Sequence, residues 1–330
     1  MSGDTAFFDA LEKCVGSCLE YDIIPHVDEI NHQRLKQCGK ALGICSCTSI
    51  IYAAYARKPL NSLTNAALLF LLLLSPNTTS FWNRRRAALL CGQLSASNEL
   101  KLTALILRTY PRSNETIFHR QWVFKQYFSG DPQALVNEFS LCDRVADSYR
   151  FNYALWQYRR FLLDLIGSEG YQDEVERLEN WLLTHPTDTS GWTYFIHLLE
   201  VMAAQSTSIT HVRPLITRQL ELTAQSLKLY PERECLWMVR RGLLTLLTKV
   251  DSSFHLSDPT VSEDPVVCSI LHRFCQGAYT KVRTFEEFVH WCYSKNISGE
   301  PSTLKWKDII RLRHMFWLAR DSLQSSDATV

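Results

Sequence analysis

The sequence predicts an all-α protein, an α-α superhelix built from stacked helical hairpins, and three regularities carry that prediction. Four prolines each follow a Leu by four residues: Leu72 and Pro76, Leu107 and Pro111, Leu182 and Pro186, Leu227 and Pro231. Six residues after each Pro stands a large apolar residue, Trp82, Ile117, Trp192 or Trp237, and Trp156 belongs to the same series with Arg150 in place of its Pro. These anchors recur every ~35 to 45 residues, the period of helix-hairpin arrays. Third, Arg-Arg follows the anchor at helical spacing in Arg85-Arg86, Arg159-Arg160 and Arg240-Arg241.

In chain order, Phe7, Phe8, Leu11, Val15, Cys18 and Leu19 fall at helical spacing, so a helix is predicted from Asp4 to about Glu20. The stretch from about Tyr21 to Lys40 predicts a loop or short strand, because Ile23-Ile24-Pro25 is extended in character and Pro25 bars a helix interior. A helix follows from about Cys47 to Ala56, stopped before Pro59. The apolar run Ala66 to Leu74 is about half of what a bilayer needs and reads as a buried helix.

Residues 61–247 then hold five hairpin repeats, after an N-terminal helical segment at 1–60. A Pro suits the first turn of a helix and forbids the preceding one to continue, so each Leu-x-x-x-Pro marks a helix end, a tight turn and a new start. Apolar pairs extend each new helix's stripe: Leu89-Leu90, Val123-Phe124, Leu162-Leu163, Leu198-Leu199 and Leu243-Leu244. A lone hairpin cannot bury both its helices, so neighbours must stack. The Ser-, Asp- and Pro-rich run from Asp251 to Asp264 breaks the rhythm and predicts a loop or insertion over 248–265. Helices at about Val266 to Tyr279, Thr284 to Lys295 and Ser302 to Ser322 complete 266–330, the last a cap or a sixth, degenerate unit.

Composition excludes several classes of function. Thirty-five Lys and Arg against 34 Asp and Glu leave a net charge of +1, which gives no global pull toward nucleic acid or an anionic membrane. Eleven Cys, an odd number without paired Cys-x-x-Cys runs, read as reduced and mostly buried thiols of a cytoplasmic protein. Cys45-Ser-Cys47 is too tight for a common metal knuckle, so no metal is expected in this chain. There is no Gly-rich phosphate loop, His-Glu-x-x-His or Gly-x-Ser-x-Gly, and His119, His185, His197, His272 and His290 each stand alone.

The arginines are the unusual feature. Trp156, Arg159, Arg160 and Leu163 share one helix face, so a cation is written into an apolar stripe, which is costly without a partner. The signature comprises Trp82, Arg85 and Arg86; Ile117 and Arg120; Trp156, Arg159 and Arg160; Trp192; and Trp237, Arg240 and Arg241. The fourth unit has Phe195 and Ile196 in place of the Arg pair. Two roles are open: guanidinium groups stacked on Trp rings and paired with carboxylates of the next hairpin, or cations, foremost in Arg84-Arg85-Arg86, facing an anionic partner.

The unit Asn152-Tyr153-Ala-Leu-Trp156-Gln-Tyr-Arg159-Arg160, with Phe118-His119-Arg120-Gln121-Trp122 as the tail of another copy, resembles the repeat of protein prenyltransferase α subunits. The whole chain resembles a divergent, repeat-containing member of that family. The resemblance implies a crescent of hairpins around a β subunit that carries zinc, the isoprenoid pocket and most of the peptide site. No cofactor is then needed in this chain, and the partner is implied to be the β subunit of Rab geranylgeranyltransferase. The co-substrate implied is geranylgeranyl diphosphate, and the acceptor a C-terminal cysteine of a trafficking protein such as a SNARE, with no nucleic acid or stable membrane insertion involved. Arg112 stands where the family places a Lys near the diphosphate, and Tyr153 where it places a substrate-side Tyr. Asn114 and Ala154 depart from the family's Tyr and His. A non-enzymatic α-solenoid adaptor for protein interactions is the alternative.

Overall fold

The computed structural model describes residues 2–26, 33–205, 209–251, 253–254, 273–274 and 282–327. The chain folds as two compact units, Met1–Gly167 and Ser168–Val330.

In the first unit, α1 (Ser2–Ser17) leads into β1 (Glu20–Ile24), β2 (Leu35–Cys38) and β3 (Ala41–Cys45). A 3-10 turn at Ser46–Thr48 and α2 (Ser49–Ala56) follow. Then come α3 (Asn65–Leu74), α4 (Thr79–Leu90), α5 (Ala96–Thr109), α6 (Asn114–Tyr127), α7 (Pro132–Ser148) and α8 (Tyr153–Ile166). Among the described residues the fold is helical apart from a small sheet, ordered β1-β3-β2, with β1 parallel and β2 antiparallel to β3. Leu42 and Ile44 are buried at alternate positions of β3, the period-2 pattern of a half-buried strand. The sheet is tied to the helices by Tyr21, whose hydroxyl donates to the Leu73 carbonyl at 2.6 Å, while Thr109 Oγ1 donates to the Tyr21 carbonyl at 3.0 Å.

The apolar run from Ala67 to Leu73 is wholly buried on α3, covered in part by Phe7 and Phe8 of α1. The Phe7 and Phe70 rings meet edge-on at 5.3 Å. A helix that is apolar all round has no solvent face, so it must lie in a core.

The second unit contains α9 (Tyr171–Thr184), α10 (Thr189–Gln205), α11 (Ile209–Leu229), α12 (Glu234–Val250), α13 (Phe285–Ser294) and α14 (Trp306–Asp327). Apart from Asp251, Ser253, Phe254, Arg273 and Phe274, the predicted loop at Asp251–Asp264 and helix at Val266–Tyr279 lie outside the described residues. No helix among the described residues is long and apolar enough to cross a membrane.

Three sequence expectations need correction. The aligned prolines lie in the turns and not in the first turn of the next helix: Pro76, Pro111, Pro186 and Pro231 each precede a helix that begins three residues later, at Thr79, Asn114, Thr189 and Glu234. Leu90 is 69% exposed, because α4 ends there and its stripe runs out. Of the nine described cysteines, Cys18, Cys45, Cys142 and Cys292 are buried, whereas Cys38 and Cys91 are exposed and the rest are partly so.

Candidate functional site

The helix turns are the places where this fold presents backbone and side chains together, and one bond explains their spacing. Trp82 Nε1 donates to the Pro76 carbonyl at 2.7 Å, Trp192 Nε1 to Pro186 at 2.9 Å and Trp237 Nε1 to Pro231 at 3.1 Å. The six-residue offset is thus the reach of an indole N–H back over the first helical turn to a turn carbonyl. The residue two after the Pro is the N-cap: Ser113 Oγ accepts from Thr116 N, and Asp188 Oδ1 accepts from Gly191 N. Where Arg150 replaces the Pro, Asn152 caps α8 by accepting from Leu155 N, and Phe151 takes a left-handed backbone with φ 58°.

The two arginines of each pair part ways. Arg85, Arg120, Arg159 and Arg240 are 2–4% exposed, inside the hairpin stack. Arg85 forms a short ion pair with Glu99 and donates to the Asn65 carbonyl at 2.9 Å. Arg120 clasps Glu138 through Nε at 2.7 Å and Nη2 at 2.6 Å, and reaches the Leu100 carbonyl at 2.5 Å. Arg240 reaches the Leu220 carbonyl at 2.8 Å, and Arg159 pairs with Asp143 at 2.5 Å. The carboxylate partners of Arg85 and Arg120 lie on the next hairpin and the carbonyl partners on their own, so these cations lock neighbours in register.

Sequence reasoning missed the other half of the lock. Glu99, Glu138 and Glu174 are buried on the first helices of successive hairpins, and each accepts from a residue twenty positions later: His119 at 3.0 Å, Tyr158 at 2.6 Å and Tyr194 at 2.8 Å. His119, read from the sequence as solitary, is at the centre of one lock. Its Nε2–H donates to Glu99, its Nδ1 accepts from Arg86 Nε at 3.4 Å, and its ring stacks on Trp82 at 4.4 Å. Burial raises the Glu99 pKa, yet Arg85 and the His119 bond outweigh it and hold the carboxyl down at about 2. Burial also lowers the His119 pKa, although Glu99 pulls the other way. A signal was available: a Glu twenty residues ahead of a donor placed two after the anchor.

In one lock all three members are replaced. The fourth anchor is followed by Phe195 where Arg would stand, the corresponding carboxylate position holds Gln219, and the donor position twenty later holds Val239. Gln219 is buried and donates through Nε2 to Glu179 at 2.5 Å.

The half-buried second arginines stack on aromatic rings. Arg86 lies over Trp122 at 5.6 Å, and Arg241 lies over Trp317 at 6.0 Å and donates to His314 Nδ1 at 3.4 Å. The His314 ring in turn faces Trp237 at 4.9 Å and Trp317 at 6.1 Å. Arg241, His314 and Trp317 reproduce the geometry of Arg86, His119 and Trp122, so α14 is the second helix of a sixth, degenerate hairpin.

Arg112 and Tyr153 stand apart from the locks. Both are exposed, Tyr153 to 68%: Arg112 lies on the α5–α6 turn and Tyr153 at the first position of α8. Asn152 Nδ2 donates to the Pro111 carbonyl at 2.6 Å and fastens the two turns together. The Arg112 guanidinium lies over the Tyr149 ring at 4.9 Å, a cation–π contact on an exposed side chain. The structure therefore joins the turn of Arg112 to the residue before Tyr153.

The profile described as the protein prenyltransferase alpha subunit repeat matches residues 135–166, the hairpin formed by α7 and α8. Over that hairpin the chain is similar to the protein prenyltransferase α-subunit repeat. It is 28% identical over 225 residues to protein prenyltransferase alpha subunit repeat-containing protein 1 of Danio rerio, covering 53% of each chain. It is 26% identical over 183 residues to the alpha subunit of geranylgeranyl transferase type-2 of Mus musculus, covering 52% of this chain and 31% of that one. A solved structure, Candida albicans protein geranylgeranyltransferase-I complexed with GGPP, overlaps 69% of this chain and 76% of that chain at 16% identity and a TM-score of 0.40, too loose an overlap to argue from. The chain spans about half the length of the Danio relative.

Proposed function

We propose that this chain is the α-type subunit of a cytoplasmic, heterodimeric protein geranylgeranyltransferase. On this reading it scaffolds a zinc-bearing β subunit, that of Rab geranylgeranyltransferase, which attaches geranylgeranyl to a C-terminal cysteine of a trafficking protein such as a SNARE. The observation that carries the proposal is the exposed Arg112 on a turn bonded to the residue before Tyr153, in a chain whose repeat arginines Arg85, Arg120, Arg159 and Arg240 are buried inside the hairpin stack. In such a transfer the cysteine sulfur forms a bond to the isoprenoid C1 as the C–O bond to diphosphate breaks, so negative charge grows on the leaving group. A guanidinium presents parallel N–H donors to that charge and stays protonated throughout. Tyr153 adds a phenol donor at the same edge. The main active site, and all metal chemistry of the transfer, belongs to the β subunit.

The test is co-expression of the full chain with candidate β subunits, followed by transfer of labelled geranylgeranyl from its diphosphate. A stable complex with transfer supports the reading. Neither complex nor transfer with any β subunit sinks it and leaves the non-enzymatic adaptor. Within an active complex, Arg112→Ala is expected to lower turnover by at least about tenfold, the scale of one lost charge-assisted hydrogen bond. Unchanged turnover in an intact complex removes Arg112 from the site.

A further inference from the structure

Outside the repeats, the sheet of the first unit brings together three side chains that the sequence keeps apart. His26 directly follows β1, Cys45 is the last residue of β3, and Cys47 lies in the 3-10 turn beyond it. Because β1 and β3 run parallel with Ile24 opposite Cys45, both strands leave the sheet at the same end. One imidazole nitrogen and two sulfurs are thereby gathered within 4.8 Å of one another.

We propose that His26, Cys45 and Cys47 bind a zinc ion in this chain itself, independently of the transferase reading. The His26 Nδ1 to Cys45 Sγ distance is 3.6 Å. Bond lengths of about 2.0 Å to nitrogen and about 2.3 Å to sulfur give a tetrahedral N–S edge of roughly 3.5 Å, so the pair is already spaced for a shared ion. The surroundings support the ligands. Ser46 Oγ accepts from the His26 amide at 3.0 Å and holds the histidine beside the two cysteines, and Thr48 Oγ1 donates to the Cys45 carbonyl at 2.7 Å. The Cys47 amide points at Cys45 Sγ at 3.3 Å, a donor placed to steady a thiolate.

The spacing Cys-x-Cys, too tight for a knuckle made of one loop, serves here because the third ligand arrives from a parallel strand. Soft sulfur with imidazole selects zinc over magnesium or calcium. Among the described residues the site supplies three ligands, and a tetrahedral zinc takes a fourth. The ion would knot together the open ends of β1 and β3, a structural clamp on the sheet.

The test is titration of the purified full chain, reduced with a phosphine and stripped with EDTA, using Co(II) as the probe and Zn(II) as competitor. The expected result is one ion per chain, with a thiolate-to-cobalt charge-transfer band and the intense visible bands of a tetrahedral centre, both abolished by zinc. Cys47→Ser and His26→Ala, at positions that are not fully buried, should each weaken binding by at least about tenfold while helical circular dichroism is unchanged. Zinc should also raise the melting temperature of the parent chain and not that of Cys47→Ser. Absence of a thiolate-to-cobalt band in the folded, reduced chain overturns the proposal. So does binding that survives both substitutions, which would place the ion elsewhere.

Discussion

At the scale of single residues, the decisive chemistry is the burial of guanidinium groups against carboxylates. Arg120, Glu138 and Tyr158 form one closed group, and taking one ion from a buried pair strands the other at a cost of about 3–5 kcal/mol. Arg120→Met is therefore expected to destabilise by that amount. Adding Glu138→Gln should recover part of the loss, since a neutral amide still accepts from Tyr158. Urea denaturation of the two variants checks this, and a double variant less stable than Arg120→Met would contradict the account.

The Glu99 and His119 lock gives a pH dependence with a definite sign. Both groups have folded pKa values below their unfolded ones, so the unfolded chain binds more protons and acid favours it. The His119 contribution, set among Arg85, Arg86 and Glu99, is present above about 6.5 and is lost as pH falls below that value. The Glu99 contribution is lost between about 4.5 and about 2. His119→Gln, whose amide can donate to Glu99 without titrating, should flatten the first part of a plot of melting temperature against pH and leave the second.

At the scale of elements, the turns differ in how they are made. Phe151 holds a left-handed backbone, which costs a non-glycine residue ~1–2 kcal/mol. Phe151→Gly should relieve that strain and stabilise the chain by about 1 kcal/mol, read from the urea midpoint, unless the exposed Phe ring contributes packing of comparable size. Such turns also mark what the sequence could tell. Hairpin period, anchors and the buried α3 were legible because each follows from local spacing. The proline carbonyl as indole acceptor could not be read, since a Pro at the end of a turn and one at the start of a helix leave the same letters. A loop or short strand was expected from about Tyr21 to Lys40, where β1 and β2 lie, but the pairing into a sheet was hidden: β2 exposes most of its length and lacks an apolar run, so its pairing rests on β3. Arg112 and Tyr153 were named by family likeness, while the bond from Asn152 to Pro111 that joins their chain neighbours is a long-range contact with no sequence signature.

At the scale of the whole molecule, the division at Gly167 sets the expected unfolding behaviour. Each unit contains its own stack of hairpins, with internal locks at Glu99 and Glu138 in the first and at Glu174 in the second. Arrays of this kind gain stability from neighbour to neighbour and need not melt as one. Scanning calorimetry is expected to give a calorimetric enthalpy larger than the van't Hoff value, whereas equality of the two would show a single cooperative unit.

The group Phe195, Gln219 and Val239 has a consequence for the order in which such a chain can change. A guanidinium cannot shed its proton in a protein interior, but a carboxyl deprived of its cation can take one up and persist as a neutral acid. The arginine is thus the member that can be lost first, with glutamine then fixing the neutral state that the protonated acid had already rehearsed. The reverse order strands a permanent cation. A repeat lineage would drift toward silent, uncharged hairpins along this one route, and its arginines would vanish from the sequence before its fold does.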